Sequence, residues 1–120
     1  MSIFIIAEAG VNHNGSINLA KKLIDAASNS GANAIKFQSF KAKNLATKNS
    51  EKANYQKILT NQNETQFDML KKFELSKETH LELIKYSNNK NIHFLSSPFD
   101  HESIDLLSEL GLEIIKIPSG

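Results

Sequence analysis

The 120-residue chain contains no cysteine and no arginine. Without cysteine there is no disulfide framework, no thiolate metal site and no cysteine nucleophile, and the chain suits a reducing compartment, so a cytoplasmic location is expected. Without arginine there is no bidentate guanidinium fork, and any carboxylate or phosphate must be held by lysine, hydroxyl and backbone N–H groups. All 14 basic residues are lysine, and 13 acidic residues leave a net charge of +1. That balance supplies no field of one sign to draw the chain onto nucleic acid or an anionic membrane. Long hydrophobic runs are missing too. The opening Ile3-Phe4-Ile5-Ile6 is broken at Glu8 and has no basic flank, so it reads as neither signal peptide nor membrane span. What is present, 40% hydrophobic and 22% charged residues with no low-complexity tract, is the composition of one globular domain with one core.

Apolar runs and helical periods alternate along the chain. Ile3 to Ala7 is rich in β-branched residues and predicts a buried strand, ending in the polar turn Gly10 to Gly15. Ser16 to Ser30 carries Ala20, Leu23, Ile24 and Ala27 at helical spacing, with Ser16 or Asn14 as N-cap and Gly31 just past the end. Ala34 to Ser39 predicts a second strand. Phe40 to Glu64 is polar and without period, a long loop; a short helix follows near Thr65 to Phe73. Ser76 caps a helix that turns Leu81 and Ile84 inward and fades near Asn89; Ile92 to Ser96 is a third strand. Pro98 and Asp100 open a helix with Ile104, Leu107 and Leu110, and Leu112 to Ile117 is a fourth strand. Four strands alternating with helices define the α/β class with a parallel sheet. This is half of a (β/α)8 barrel, which takes about 250 residues, or else a small doubly wound sheet.

Glu8, Gln38, Ser97 and Ser119 fall at or just after the carboxyl ends of predicted strands, the edge where both folds place their sites. Lys36 and Lys116 lie inside strands with apolar residues on either side. Lys36 and Gln38 share one face of their strand and Ile35 and Phe37 the other; in a barrel the lysines point inward. A buried ammonium needs an opposite charge, and two from separate strands point to an anionic ligand between them. The alternative is that each pairs with a structural carboxylate or extends its stem to the strand edge. Glu8 fits a proton-transferring acid and equally a salt-bridged carboxylate. Ser119 and Gly120 after Pro118 have the form of an anion nest. His13 has no second metal ligand spaced near it and reads as a solvent-facing turn residue; His80, His93 and His101 have no ligand spacing either.

Four segments in order carry a resemblance: Ile5-Ile6-Ala7-Glu8-Ala9-Gly10-Val11-Asn12-His13-Asn14-Gly15, Ala34-Ile35-Lys36-Phe37-Gln38-Ser39-Phe40-Lys41-Ala42, Phe94-Leu95-Ser96-Ser97-Pro98-Phe99-Asp100 and Ile115-Lys116-Ile117-Pro118-Ser119-Gly120. With the intervening Tyr55-Gln56 and Leu70 to Ser76, they resemble the strand-end motifs of the sialic acid synthase family, in particular its bacterial N-acetylneuraminate and N,N′-diacetyllegionaminate branches.

The resemblance implies a (β/α)8 barrel, of which residues 1–120 hold roughly the first four βα units, with the rest of the barrel and a carboxyl-terminal antifreeze-like domain beyond. It implies condensation of phosphoenolpyruvate with an N-acylated hexosamine, N-acetylmannosamine or a diacetamido trideoxy analogue, to a nine-carbon keto acid and phosphate. Lys36, Ser97, Lys116, Ser119 and Gly120 would then hold phosphoenolpyruvate, Glu8 would face the sugar as the catalytic group, and Gln38 would assist. A divalent metal, usually manganese, would take its ligands from beyond residue 120, and the full-length protein would be a homodimer. The isolated segment is then expected to be inactive and of low stability, because a half barrel leaves strand edges uncovered. A related phosphoenolpyruvate-dependent synthase of shorter keto sugar acids and an inert anion-binding βα segment are the alternatives; Ala7-Glu8-Ala9-Gly10 argues against the first.

Overall fold

The computed structural model describes residues 2–46 and 65–119. Within them the chain runs β1 (Ile6–Gly10), α1 (Ile17–Asn29), β2 (Ala34–Ser39), α2 (Ala42–Leu45), α3 (Gln66–Phe73), α4 (Lys77–Asn89), β3 (His93–Pro98) and α5 (His101–Glu109). The three strands form one parallel sheet in the order β1-β2-β3. Consecutive parallel neighbours joined by helices are the repeating unit of a βα barrel.

Helix boundaries follow local chemistry. Ser16, Thr65, Ser76 and Asp100 each cap a helix by accepting a backbone N–H three residues on, and Thr65 forms a reciprocal capping box with Asp68. Gly31 and Gly111, at φ +85° and +83°, follow the ends of α1 and α5, where the chain turns through the left-handed region.

Alternation along each strand divides the sheet into two faces. Ala9, Ile35, Phe37 and Phe94 pack against Ala20, Ile24 and Ala27 of α1 and Leu83 of α4. Phe37 stacks on Phe94 at 5.4 Å between ring centres. Each fully buried large side chain here contributes about 1.5–3 kcal/mol. Leu81, expected inward, is exposed, as is Ile104; His80, Leu83 and Ser87 form the inward row of α4, and Ser103 and Leu107 that of α5.

Two strands differ from the sequence expectation, for reasons that lie in their partners. β1 begins at Ile6 and continues past Glu8 to Gly10, because β2, its only neighbour among the described residues, starts at Ala34; the Ile5 carbonyl accepts the Asn33 and Ala34 N–H groups, and the Ile5 N–H goes to the Asn33 side chain instead of to a strand. Residues 112–117 run beside β3 but form no strand. One backbone bond joins them, from the Lys116 N–H to the Ser96 carbonyl at 3.4 Å. In a regular parallel ladder the next two donors would be residues 98 and 118. Both are proline and have no N–H.

Of the expected loop from Phe40 to Glu64, residues 47–64 lie outside the described residues, as does the Tyr55-Gln56 pair; α2 occupies part of the remainder. α3 returns the chain to the turn after β1. There Gly15 (φ +79°) lies so close to α3 that a Cβ would meet the Lys72 carbonyl.

Candidate functional site

On the sheet face turned away from α1 and α4, Glu8, Lys36 and Leu95 occupy one row across the strands, and Gln38 and Ser97 the next. The Lys36 ammonium lies 2.9 Å from Glu8 Oε1, its side chain 16% exposed against 53% for Glu8. The pairing expected as one alternative therefore forms, and the carboxylate that makes it remains half in solvent. A bulge after Glu8 places Gly10, not Ala9, opposite Phe37, with Gly10 at φ +55°. Glu8 Oε2 and Gln38 Nε2 both flank the bare Gly10 α-carbon, 3.4 Å and 3.7 Å from where a Cβ would stand. Glu8, Lys36 and Gln38 are thus one cluster at the carboxyl end of β1 and β2.

Ser97 is buried beside Gln38. Lys116 joins by register: in both ladders the bonding N–H reaches the residue before its partner, as in Ala34 to Ile5 with Ile6 opposite Ala34. The same offset applied to Lys116 and Ser96 sets Lys116 opposite Ser97, in the row of Gln38. Among the described residues Lys116 is exposed and lies in no strand, where a buried strand position was expected. Ser119 is exposed and makes no hydrogen bond among the described residues; Gly120 lies outside them. The structure thus unites Glu8, Lys36 and Gln38, sets Ser97 and Lys116 alongside, and shows no bond from Ser119 to any of them.

The opposite face holds polar groups that strand alternation alone assigned to an apolar layer. Ser39, Ser96 and His80 are all fully buried between the sheet and α4. Ser39 Oγ lies 2.7 Å from His80 Nε2 and 2.6 Å from Ser96 Oγ, and His80 Nδ1 lies 2.7 Å from the Ser76 carbonyl. The signal in the sequence was the helical spacing of His80 with Leu83 and Ser87.

His13 is likewise fully buried, contrary to the solvent-facing turn expected of it. The bonds Asn12 N–H to Ala9, Asn14 N–H to Val11 and Ser16 N–H to His13 curl the turn inward and bring the imidazole 6.1 Å from the Phe37 ring. Its Nδ1 accepts the Gly15 N–H at 2.9 Å, and its Nε2 has no partner among the described residues.

Burial holds His13 and His80 below the ordinary imidazole value of 6.5; at His80 the bond with Ser76 opposes the shift and the Lys41 charge adds to it. A base with a lowered folded pKa stabilises the fold fully above its unfolded pKa, and that contribution is lost as pH falls toward the folded pKa. The urea midpoint is therefore expected to drop between about pH 7.5 and about pH 5.5, and less steeply in His80→Phe. Equal slopes in both proteins would exclude His80 as a source.

A second set of bonds ties the β2–α2 turn to its neighbours. Asp100 accepts the Lys41 N–H and the Ser103 N–H, each at 2.7 Å, and Glu74 accepts the Ala42 N–H at 2.8 Å. Burial alone would raise both carboxyls, but these bonds outweigh it, with help from Ser103 and Asn44 at Asp100 and from Lys71 and Lys41 at Glu74, and hold both pKa values low. A groove of about 770 Å3 opens nearby between α5 and Pro118, lined by Phe99, Asp100, Ile104 and Ile117 and away from Glu8 and Lys36. Among the described residues no three His, Cys, Asp or Glu side chains gather as metal ligands. These residues do not fit a divalent metal. No described helix is long and apolar enough to cross a membrane.

Parallel βα units with a lysine, an acid, an amide and a hydroxyl at the carboxyl ends of the strands are those of a βα-barrel protein. Residues 23–120 match the NeuB family, and the chain belongs to it. It is 60% identical over 116 residues, 97% of this chain and 35% of the relative, to N,N′-diacetyllegionaminic acid synthase of Campylobacter jejuni. It is 54% identical over its whole length, and 34% of the relative, to the protein of that name in Legionella pneumophila. The crystal structure of an N-acetylneuraminic acid synthetase of Leptospira borgpetersenii in complex with citrate superposes with a TM-score of 0.79 at 38% identity, over 98% of this chain and 36% of that one. The chain spans about a third of the length of these relatives.

Proposed function

We propose that the chain is the amino-terminal part of the barrel domain of a sugar acid synthase that condenses phosphoenolpyruvate with an N-acylated hexosamine, N-acetylmannosamine or its diacetamido trideoxy analogue. The observation that carries this reading is the inner-face arrangement of Glu8, Lys36, Gln38, Ser97 and Lys116 in a chain of the NeuB family. In the reaction the methylene carbon of phosphoenolpyruvate bonds to the aldehyde carbon, the aldehyde oxygen takes a proton, one water is consumed, and phosphate departs. Lys36 and Lys116, with the Ser97 and Ser119 hydroxyls and the Gly120 N–H, hold the phosphate and carboxylate by charge-assisted bonds. Glu8 keeps one oxygen on Lys36 and offers the other, half in solvent, to carry a proton for the aldehyde oxygen. Gln38, on the same strand face as Lys36 and opposite Ser97, assists them in holding phosphoenolpyruvate.

In this reading the remaining barrel and a carboxyl-terminal antifreeze-like domain complete a cytoplasmic homodimer, and a divalent metal, manganese, has its ligands outside the described residues. The full-length protein is expected to release phosphate only when phosphoenolpyruvate, a 2-acetamido hexose and manganese are all present. Turnover without metal, or none with all three, would sink the assignment. Running N-acetylmannosamine against its diacetamido trideoxy analogue decides the acceptor; 60% identity to a legionaminic acid synthase supports the second.

A further inference from the structure

The buried row behind the site has a single hydrogen-bond direction. A carbonyl only accepts, so His80 Nδ1 must donate to the Ser76 carbonyl, 2.7 Å away. Burial keeps the ring neutral, so Nε2 is left as an acceptor. The Ser39 hydroxyl therefore donates to Nε2 at 2.7 Å, and its oxygen accepts the Ser96 hydroxyl at 2.6 Å. All three residues are at most 1% exposed, so no water competes for these bonds. His80 also meets the Phe94 ring edge-on at 6.3 Å, which limits its rotation.

Each end of this row adjoins a residue of the proposed site. Ser39 follows Gln38, and Ser96 precedes Ser97; adjacent strand residues point to opposite faces, so clamping one from behind sets the direction of the next. The Ser96 carbonyl also accepts the one backbone bond that holds Lys116 beside β3, and the Ser39 carbonyl accepts the Phe99 N–H. Prolines deny Lys116 the bonds that would otherwise follow in its ladder, so its placement depends on how Ser96 is held.

We infer that His80 is a positioning residue of the synthase, acting through Ser39 and Ser96 to hold Gln38, Ser97 and Lys116 where phosphoenolpyruvate is gripped. The role rests on the function proposed above. It predicts a selective kinetic defect, because the row backs the phosphoenolpyruvate residues and makes no bond to Glu8, the group turned toward the sugar.

In the full-length synthase, His80→Phe and Ser39→Ala are each expected to raise KM for phosphoenolpyruvate about tenfold and leave KM for the acylated hexosamine within about twofold. His80→Gln, whose amide oxygen can replace Nε2 as acceptor, should recover most of the loss. Ser39→Ala removes one oxygen and keeps the test alive if His80→Phe does not fold. Nitrogen shifts of labelled imidazole should report His80 protonated at Nδ1 and bare at Nε2. Equal rises in both KM values, or a lower melting temperature with neither KM changed, would overturn the role and leave the proposed function standing; a protonated Nε2 would overturn the hydrogen-bond row itself. An unaltered enzyme that does not turn over phosphoenolpyruvate would overturn the function and this role together.

Discussion

Lys36→Ala in the full-length synthase is expected to raise KM for phosphoenolpyruvate about a hundredfold, ~2.7 kcal/mol of binding, with a much smaller change for the sugar. The magnitude follows from removing an ammonium whose side chain is 16% exposed, where charge-assisted bonds to phosphate or carboxylate are poorly screened. The variant should still fold. Glu8, which loses its partner, is half exposed and can be solvated, so no buried charge is stranded. Lys116→Ala should act in the same direction, since its register sets it opposite Ser97. Substrate kinetics with each reactant varied in turn decide the matter: a larger rise for the sugar than for phosphoenolpyruvate would refute the placement of both lysines.

A second large effect is expected on stability. Gly15→Ala would put a Cβ onto the Lys72 carbonyl at the end of α3, at a φ of +79° that L-residues rarely adopt. The two penalties together should cost about 3 kcal/mol. Gly31→Ala is the control: its φ is +85° but nothing lies within 4 Å of the added Cβ, so only the backbone term, about 1 kcal/mol, should appear. Urea titrations of the two variants against the unaltered protein give the comparison. If Gly15→Ala costs no more than Gly31→Ala, α3 does not pack on the turn after β1.

Local chemistry made much of this legible beforehand. Ser16, Ser76 and Asp100 cap their helices where expected because a hydroxyl or carboxylate beside a free N–H needs no distant partner. Alternation in Ala34–Ser39 placed Lys36 and Gln38 on one face, and they are there, because strand periodicity is a property of the backbone. The bounds of β1 and the irregular course of residues 112–117 were not legible in the same way. A strand extends only as far as its neighbour can exchange hydrogen bonds with it, and that neighbour is remote in sequence.

The histidines show where that boundary lies. Spacing excluded a local metal cluster around His13, but burial depends on how the turn folds against Phe37, and His13 lies inside. Nothing near His80 in the chain announces Ser39, 41 residues away, or its link to Ser96. The order of motifs carried the membership of the chain in its family and the residue types available for gripping an anion, since each motif is a short stretch whose side chains alternate or cap by local rules. Which of those groups meet was settled by packing: the Glu8–Lys36 pair, the placing of Lys116 beside Ser97 and the serine–histidine row behind them. These are contacts between segments brought together when the sheet forms, and their energies arise from register and burial that no local stretch contains.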